Sequence, residues 1–194
     1  DLLEVYNKKH NKEKGIEAQR KSLVLLNNKN DILPLSEDSK IFYHGFGEDF
    51  ISKNNLYDYN ESDINVIKIN SPNGRFESEY MFELLLGGGP LDFTPEELQK
   101  YISLIKQKPT IIIANLSRPT ILTEIDYSAS AIIADFGSED DIIKDLIHGR
   151  FNPSGKLPFD LPSSMESVND QLEDLPFDSK YPLFKFGHGL SYQE

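Results

Sequence analysis

The chain contains no cysteine in its 194 residues, which removes disulfide frameworks and thiolate chemistry together. No apolar run approaches the roughly 18 residues that a membrane-spanning helix requires. Positive charge is in short supply: 20 Lys and Arg stand against 32 Asp and Glu, a formal charge of -12. That balance argues against nucleic acid as a partner, because no basic surface dominates. The cations that do cluster (Lys8, Lys9, Lys12, Lys14, Arg20, Lys21) are interleaved with Glu4, Glu13 and Glu17, as on a solvated helix face. The four histidines (His10, His44, His148, His188) have no metal-ligand spacing, so neither a metal nor another cofactor is expected. Gly87-Gly88-Gly89-Pro90 lacks the Lys-Ser/Thr that completes a P-loop and precedes a loop, not a helix. There is no Gly-x-Ser-x-Gly elbow, the commonest carrier of a hydrolase triad on an α/β sheet.

Isoleucine is what the chain has in abundance where it counts. Thr110 to Ala114 and Ala131 to Ala134 are unbroken apolar runs, and a strand covered on both faces shows no polar alternation. They are expected as central strands of a parallel sheet. Ser22 to Asn27, Lys40 to His44 and Ile64 to Ile69 supply further strands, the last with one wetter side. Asn28-Lys29-Asn30-Asp31 makes a sharp reversal, and Ile32 to Leu35 is a second arm that Pro34 confines to a sheet edge.

Residues 1 to about 21 read as helix, split in two by Gly15. Thr94-Pro95-Glu96-Glu97 combines a cap, a proline suited to the first turn and a glutamate that reaches back. Leu98, Tyr101, Ile102 and Ile105 then form one buried helix face. Ser138 to Asp141 starts another helix, which Gly149 ends. From Phe151 onward, Pro153, Pro158, Pro162, Pro176 and Pro182 preclude long elements, so this tail should wrap over the surface. The sum is a three-layer α/β sandwich, flavodoxin-like, with a mainly parallel sheet of about six strands and helices on both faces. Residues 1–21 are its lead-in and residues 22–194 the domain itself.

Carboxylates are what remains for chemistry. Asp38, Glu96, Glu97, Glu139, Asp140, Asp141 and Glu173 read as caps or surface charge. The stretch Ser71 to Glu83 differs: it follows the carboxyl end of a strand, where open α/β sheets bind ligands. It gathers Arg75, Glu77, Glu79 and Glu83 with Phe76, Tyr80 and Phe82, a mix suited to sugar rings and a proton donor. An ordinary charged loop with Met81 and Phe82 packed inward fits the same residues.

Ser22-Leu-Val-Leu-Leu-Asn-Asn28 followed by Ile32-Leu-Pro-Leu35 resembles the opening of the C-terminal domain of family 3 glycoside hydrolases, the β-glucosidase-like enzymes. Asn152-Pro-Ser-Gly-Lys-Leu-Pro158 and Pro182-Leu-Phe-Lys-Phe-Gly-His-Gly-Leu-Ser-Tyr192 resemble two further hallmark stretches, in the right order. Gly89 to Thr94, Ser117-Arg118-Pro119 and Leu161 to Glu166 are similar to a bacterial subgroup. The resemblance runs from about residue 16 to the end.

The resemblance implies a (β/α)8-type barrel ahead of this domain as its partner. A barrel needs about 250 residues and so lies outside this chain. Asp1-Leu2-Leu3-Glu4 likewise reads as the interior of a longer protein, which leaves localisation unread. The implied activity is retaining hydrolysis of a β-linked glucoside or oligosaccharide, with an aspartate nucleophile on the barrel and the acid/base glutamate from a loop of this domain. In that mechanism the two carboxyls lie about 5–5.5 Å apart. The subgroup's loop reads approximately Ala-Pro-Tyr-Glu-x-Arg, whereas here Ser71-Pro72 is followed by Asn73-Gly74-Arg75. Glu77, by a shift of register, and Glu83, which aligns with another family glutamate, are alternative candidates for the single acid/base role; Arg75 is the candidate for substrate binding. A non-catalytic carbohydrate-contacting or interdomain scaffold is the alternative reading. His188 and Phe186 are expected to pack and anchor the tail.

Overall fold

The structure, a computed structural model, describes residues 9–54, 56–72, 89–172 and 174–192. Five strands form one sheet: β1 (Val24–Asn28), β2 (Ile41–His44), β3 (Ile64–Asn70), β4 (Thr110–Asn115) and β5 (Ala131–Asp135). Their order is β1-β5-β4-β3-β2, so β4 lies in the middle. All neighbouring pairs are parallel except β1 with β5, which is antiparallel and carries a bulge between Leu25 and Asn27. Thr110 to Ala114 and Ala131 to Ala134 are interior strands, as their unbroken apolar character requires. Ile111 and Ile113 enter one core with Leu25, Val66 and Ile133; Ile112 and Ala114 enter the other with Leu26, Ile67 and Ile132.

Helices cover both faces. On the first lie α1 (Lys9–Ser22), α2 (Glu48–Lys53) and α5 (Asp140–Ile147), which contribute Ile16, Phe50 and the buried row Ile142, Ile143, Leu146 and Ile147. On the second lie α3 (Pro95–Ile105) and α4 (Thr123–Ser128), with Leu98, Tyr101, Ile102, Ile105 and Ile125 turned inward. The start of α3 is a full capping box: Thr94 Oγ1 accepts from Glu97 N at 3.1 Å and Glu97 Oε2 accepts from Thr94 N at 2.9 Å. Beyond α5, Gly149 adopts φ +69 and donates to Leu146 O at 2.9 Å, which closes the helix.

Three expectations need correction. The sheet has five strands where about six were expected, because Ile32–Leu35 joins no ladder. Asn28 takes both backbone groups of Leu33 with its side-chain amide at 3.0 Å each, Pro34 has no N–H, and Leu35 N donates to Ile147 O at 2.8 Å. Nothing is left for a partner strand. The reversal before it does form, as a 3-10 turn at Lys29–Asp31 with Asn30 and Asp31 at φ 54 and 50. Gly15 does not divide the first helix: α1 runs through it, and a single glycine costs a helix only about 1 kcal/mol. Finally, β3 has no wet side. Asn65 is fully buried, with Nδ2 donating to Thr110 Oγ1 at 3.4 Å, because helices cover both faces of the sheet.

The tail, which includes α6 (Met165–Asn169), returns to strap β1. Leu190 N donates to Leu25 O at 2.8 Å, and Leu157 N donates to His188 O at 2.8 Å. This explains the glycines of the two hallmark stretches. A Cβ on Gly155 would stand 2.3 Å from Leu23 O, and one on Gly189 would stand 2.3 Å from Gly155 O, so three backbone segments are stacked too closely for any side chain.

Candidate functional site at the carboxyl edge of the sheet

The parallel strands β2 to β5 all end on one edge, and the connection after β3 starts there. The chain is described as far as Pro72 and again from Gly89. Arg75, Glu77 and Glu83 lie outside the described residues, so the site is built from what seats the two ends of that stretch.

The seat is the β4–α4 connection. Ser71 N donates to Asn115 O at 3.2 Å, which extends the β3–β4 pairing by one residue. The Ser71 hydroxyl lies 2.9 Å from Asn115 O and 3.0 Å from Arg118 O, and it accepts from Thr120 Oγ1 at 2.8 Å. Ser71 and Thr120 are both buried, so their hydroxyls need these partners. The Arg118 guanidinium then reaches both limbs: Nη1 donates to Pro72 O at 3.3 Å and Nη2 to Gly89 O at 2.6 Å. Past Gly89 the returning limb is fixed again, with Ile121 N donating to Leu91 O at 3.0 Å and Leu91 N to Met165 Sδ at 3.3 Å. Ser117-Arg118-Pro119 stood out in the sequence as part of a motif; its role as a clamp did not. Its signal was a long cation in a turn directly after a central strand.

On the opposite face of the same edge lies a closed charge cluster. Lys68 Nζ stands 2.9 Å from Asp140 Oδ1 and 3.7 Å from Asp135 Oδ2. Asp135 is fully buried; its Oδ1 accepts from Gly137 N at 3.1 Å and Ser138 N at 2.7 Å. Asp140 Oδ2 accepts from Gly47 N at 2.8 Å. The cluster ties together the loops after β2 and β5 and the end of β3. Asp140, expected as a helix-start acid, does lead α5 and does this second job as well. Lys68 and Asp135 were not singled out in the sequence, where nothing marks them as neighbours.

Elsewhere the expected anchors do anchor. His188 Nε2 lies 2.8 Å from Leu26 O and its ring stacks on Phe184 at 4.7 Å. Phe186 rests on Phe177 at 4.5 Å between ring centres, beside a groove that Leu91, Pro119 and Phe159 also line. Among the described residues no group of three His, Asp or Glu side chains is placed to hold a metal ion, and no helix is long and apolar enough to cross a membrane.

Residues 58–192 match the pattern of the family described as glycosyl hydrolase family 3 C-terminal domain. The chain belongs to that family. Over 190 residues this family 3 domain is 37% identical to Beta-glucosidase C of Emericella nidulans, which covers 93% of this chain and 30% of that relative. It is 32% identical over 181 residues to the periplasmic beta-glucosidase/beta-xylosidase of Dickeya chrysanthemi, covering 91% of this chain and 28% of that protein. The domain thus spans under a third of the length of these curated relatives. In fold it is similar to the beta-glucosidase from Listeria innocua, with a TM-score of 0.75 over 100% of this chain and 35% of that one, at 19% identity.

Proposed function

We propose that this family 3 domain lends a loop and the acid/base glutamate to the active site of a retaining β-glycosidase acting on β-glucosides. The nucleophile would come from a (β/α)8-type barrel elsewhere in the same polypeptide. The observation that carries this reading is the seating of residues 73–88: both ends are anchored at the carboxyl edge of the sheet, the side on which such folds present ligand loops. Relatives named as β-glucosidases support the substrate class.

In this scheme the barrel carboxylate attacks the anomeric carbon while the glutamate gives its proton to the leaving oxygen, and a glycosyl ester forms. The same glutamate, now a carboxylate, takes a proton from water, which attacks the ester and frees the sugar and the nucleophile. Glu77 and Glu83 are the alternative holders of this role, and Arg75 contacts the sugar. The purified 194-residue chain should therefore hydrolyse no nitrophenyl β-glucoside, since it lacks the nucleophile. In the full-length gene product, Glu77→Gln should slow poor leaving groups far more than activated aryl ones, and azide should partly restore turnover of the latter. If Glu83→Gln behaves this way and Glu77→Gln does not, the role passes to Glu83. Turnover by the chain alone would refute the division of labour. The replacement of the subgroup's Tyr-Glu by Asn73-Gly74 favours a second reading, a non-catalytic scaffold, which wins if neither glutamate matters.

A further inference from the structure

We propose that Arg118 is a positioning residue for catalysis: its guanidinium sets the separation of the two ends of the 16-residue stretch 73–88 and thereby the placement of the acid/base it carries. The inference rests on the acid/base reading above.

A single planar fork donates from one nitrogen to Pro72 O and from another to Gly89 O. Those carbonyls flank the stretch, so one side chain fixes both the exit and the return. The platform beneath is rigid. Arg118 N and O lie 3.4 and 3.0 Å from the buried Ser71 hydroxyl, which also takes a bond from Thr120, and Ile121 pins Leu91. A movement of the turn at Ser117–Pro119 would therefore reach both limbs together. Lysine cannot substitute, because an ammonium is a point donor on a flexible stem and lacks two fixed, diverging nitrogens. Fixing the ends of a long segment removes much of the conformational freedom it would otherwise sample. A proton donor misplaced by about 1 Å loses on the order of 100-fold in rate.

The test uses the full-length gene product with Arg118→Ala and Arg118→Lys, alongside Glu77→Gln and Glu83→Gln. Arg118→Ala is expected to slow an alkyl β-glucoside about 10–100-fold in kcat. A dinitrophenyl β-glucoside, which needs no proton for departure, should change by less than about 3-fold. Millimolar guanidinium ion should restore much of the loss in Arg118→Ala, and Arg118→Lys should fall between wild type and Arg118→Ala. Amide exchange of the 73–88 peptide should quicken while β4 and β5 peptides keep their wild-type rates. Equal loss on both substrates with a lowered Tm and no rescue would reduce Arg118 to a merely structural residue and overturn the proposal. So would an unchanged rate on both. If one glutamate variant shows the leaving-group signature and Arg118→Ala does not, this proposal fails alone; if neither glutamate shows it, the acid/base reading fails and takes this one with it.

Discussion

Lys68 sits between two carboxylates at the end of β3, and it cannot be removed by itself without consequence. In Lys68→Met the fully buried Asp135 would keep its charge with only two backbone N–H groups for company. Breaking a buried pair from one side costs about 3–5 kcal/mol. Urea unfolding should show that loss in Lys68→Met and a partial recovery in Lys68→Met/Asp135→Asn; equal stability of the two would contradict it. Little of this was legible beforehand. Lys68 and Asn65 looked like the wet side of an edge-like strand, because sequence alone does not say that helices will cover both faces. The site residues divide the same way. Glu77, Glu83 and Arg75 could be chosen by type and position after a strand, while the clamp that seats them depends on Arg118 meeting residues 46 and 29 positions away, a proximity that only the fold creates.

Elements were readable wherever one local signal dominated. The isoleucine runs of β4 and β5 and the capping box of α3 needed no tertiary information, since strand burial and helix initiation are written in consecutive residues. The arm Ile32–Leu35 misled because a single side chain, Asn28, satisfied the backbone that a ladder would have used. Gly15 misled in a milder way. It marks a weakness in α1 without breaking it, and a Cβ built there meets nothing within 4 Å. Gly15→Ala should accordingly stabilise the protein by about 0.5–1 kcal/mol. Differential scanning should register that as a Tm rise of roughly 1–4 °C; a fall would mean that α1 is not helical through this position.

At the scale of the whole molecule, burial lifts the phenols of Tyr43 and Tyr192 above their ordinary range. Tyr43 is 7% exposed and its hydroxyl has no partner among the described residues, while Tyr192 donates to Leu146 O at 2.6 Å. A group whose pKa is raised by folding contributes stability that is complete below the unfolded value, about 10 for tyrosine, and drains away above it. Urea midpoints should hold steady up to about pH 9 and fall between about pH 10 and 11. In Tyr43→Phe the fall should be shallower, with no penalty at neutral pH for losing an unpartnered hydroxyl.

The placement of β1 has a consequence in time. Val24 pairs with Ala134, about 110 residues later, and ribosomes add about 5–20 residues per second. The first strand of this sheet is thus synthesised roughly 5–20 s before the strand it pairs with exists. Through that interval Leu23, Val24, Leu25 and Leu26, all buried in the finished protein, have no sheet to enter. Leu190, which straps Leu25, arrives later still. A nascent chain stalled before residue 131 should be held by chaperones at its own beginning, and the sheet should close from the late-made strands back to the early one.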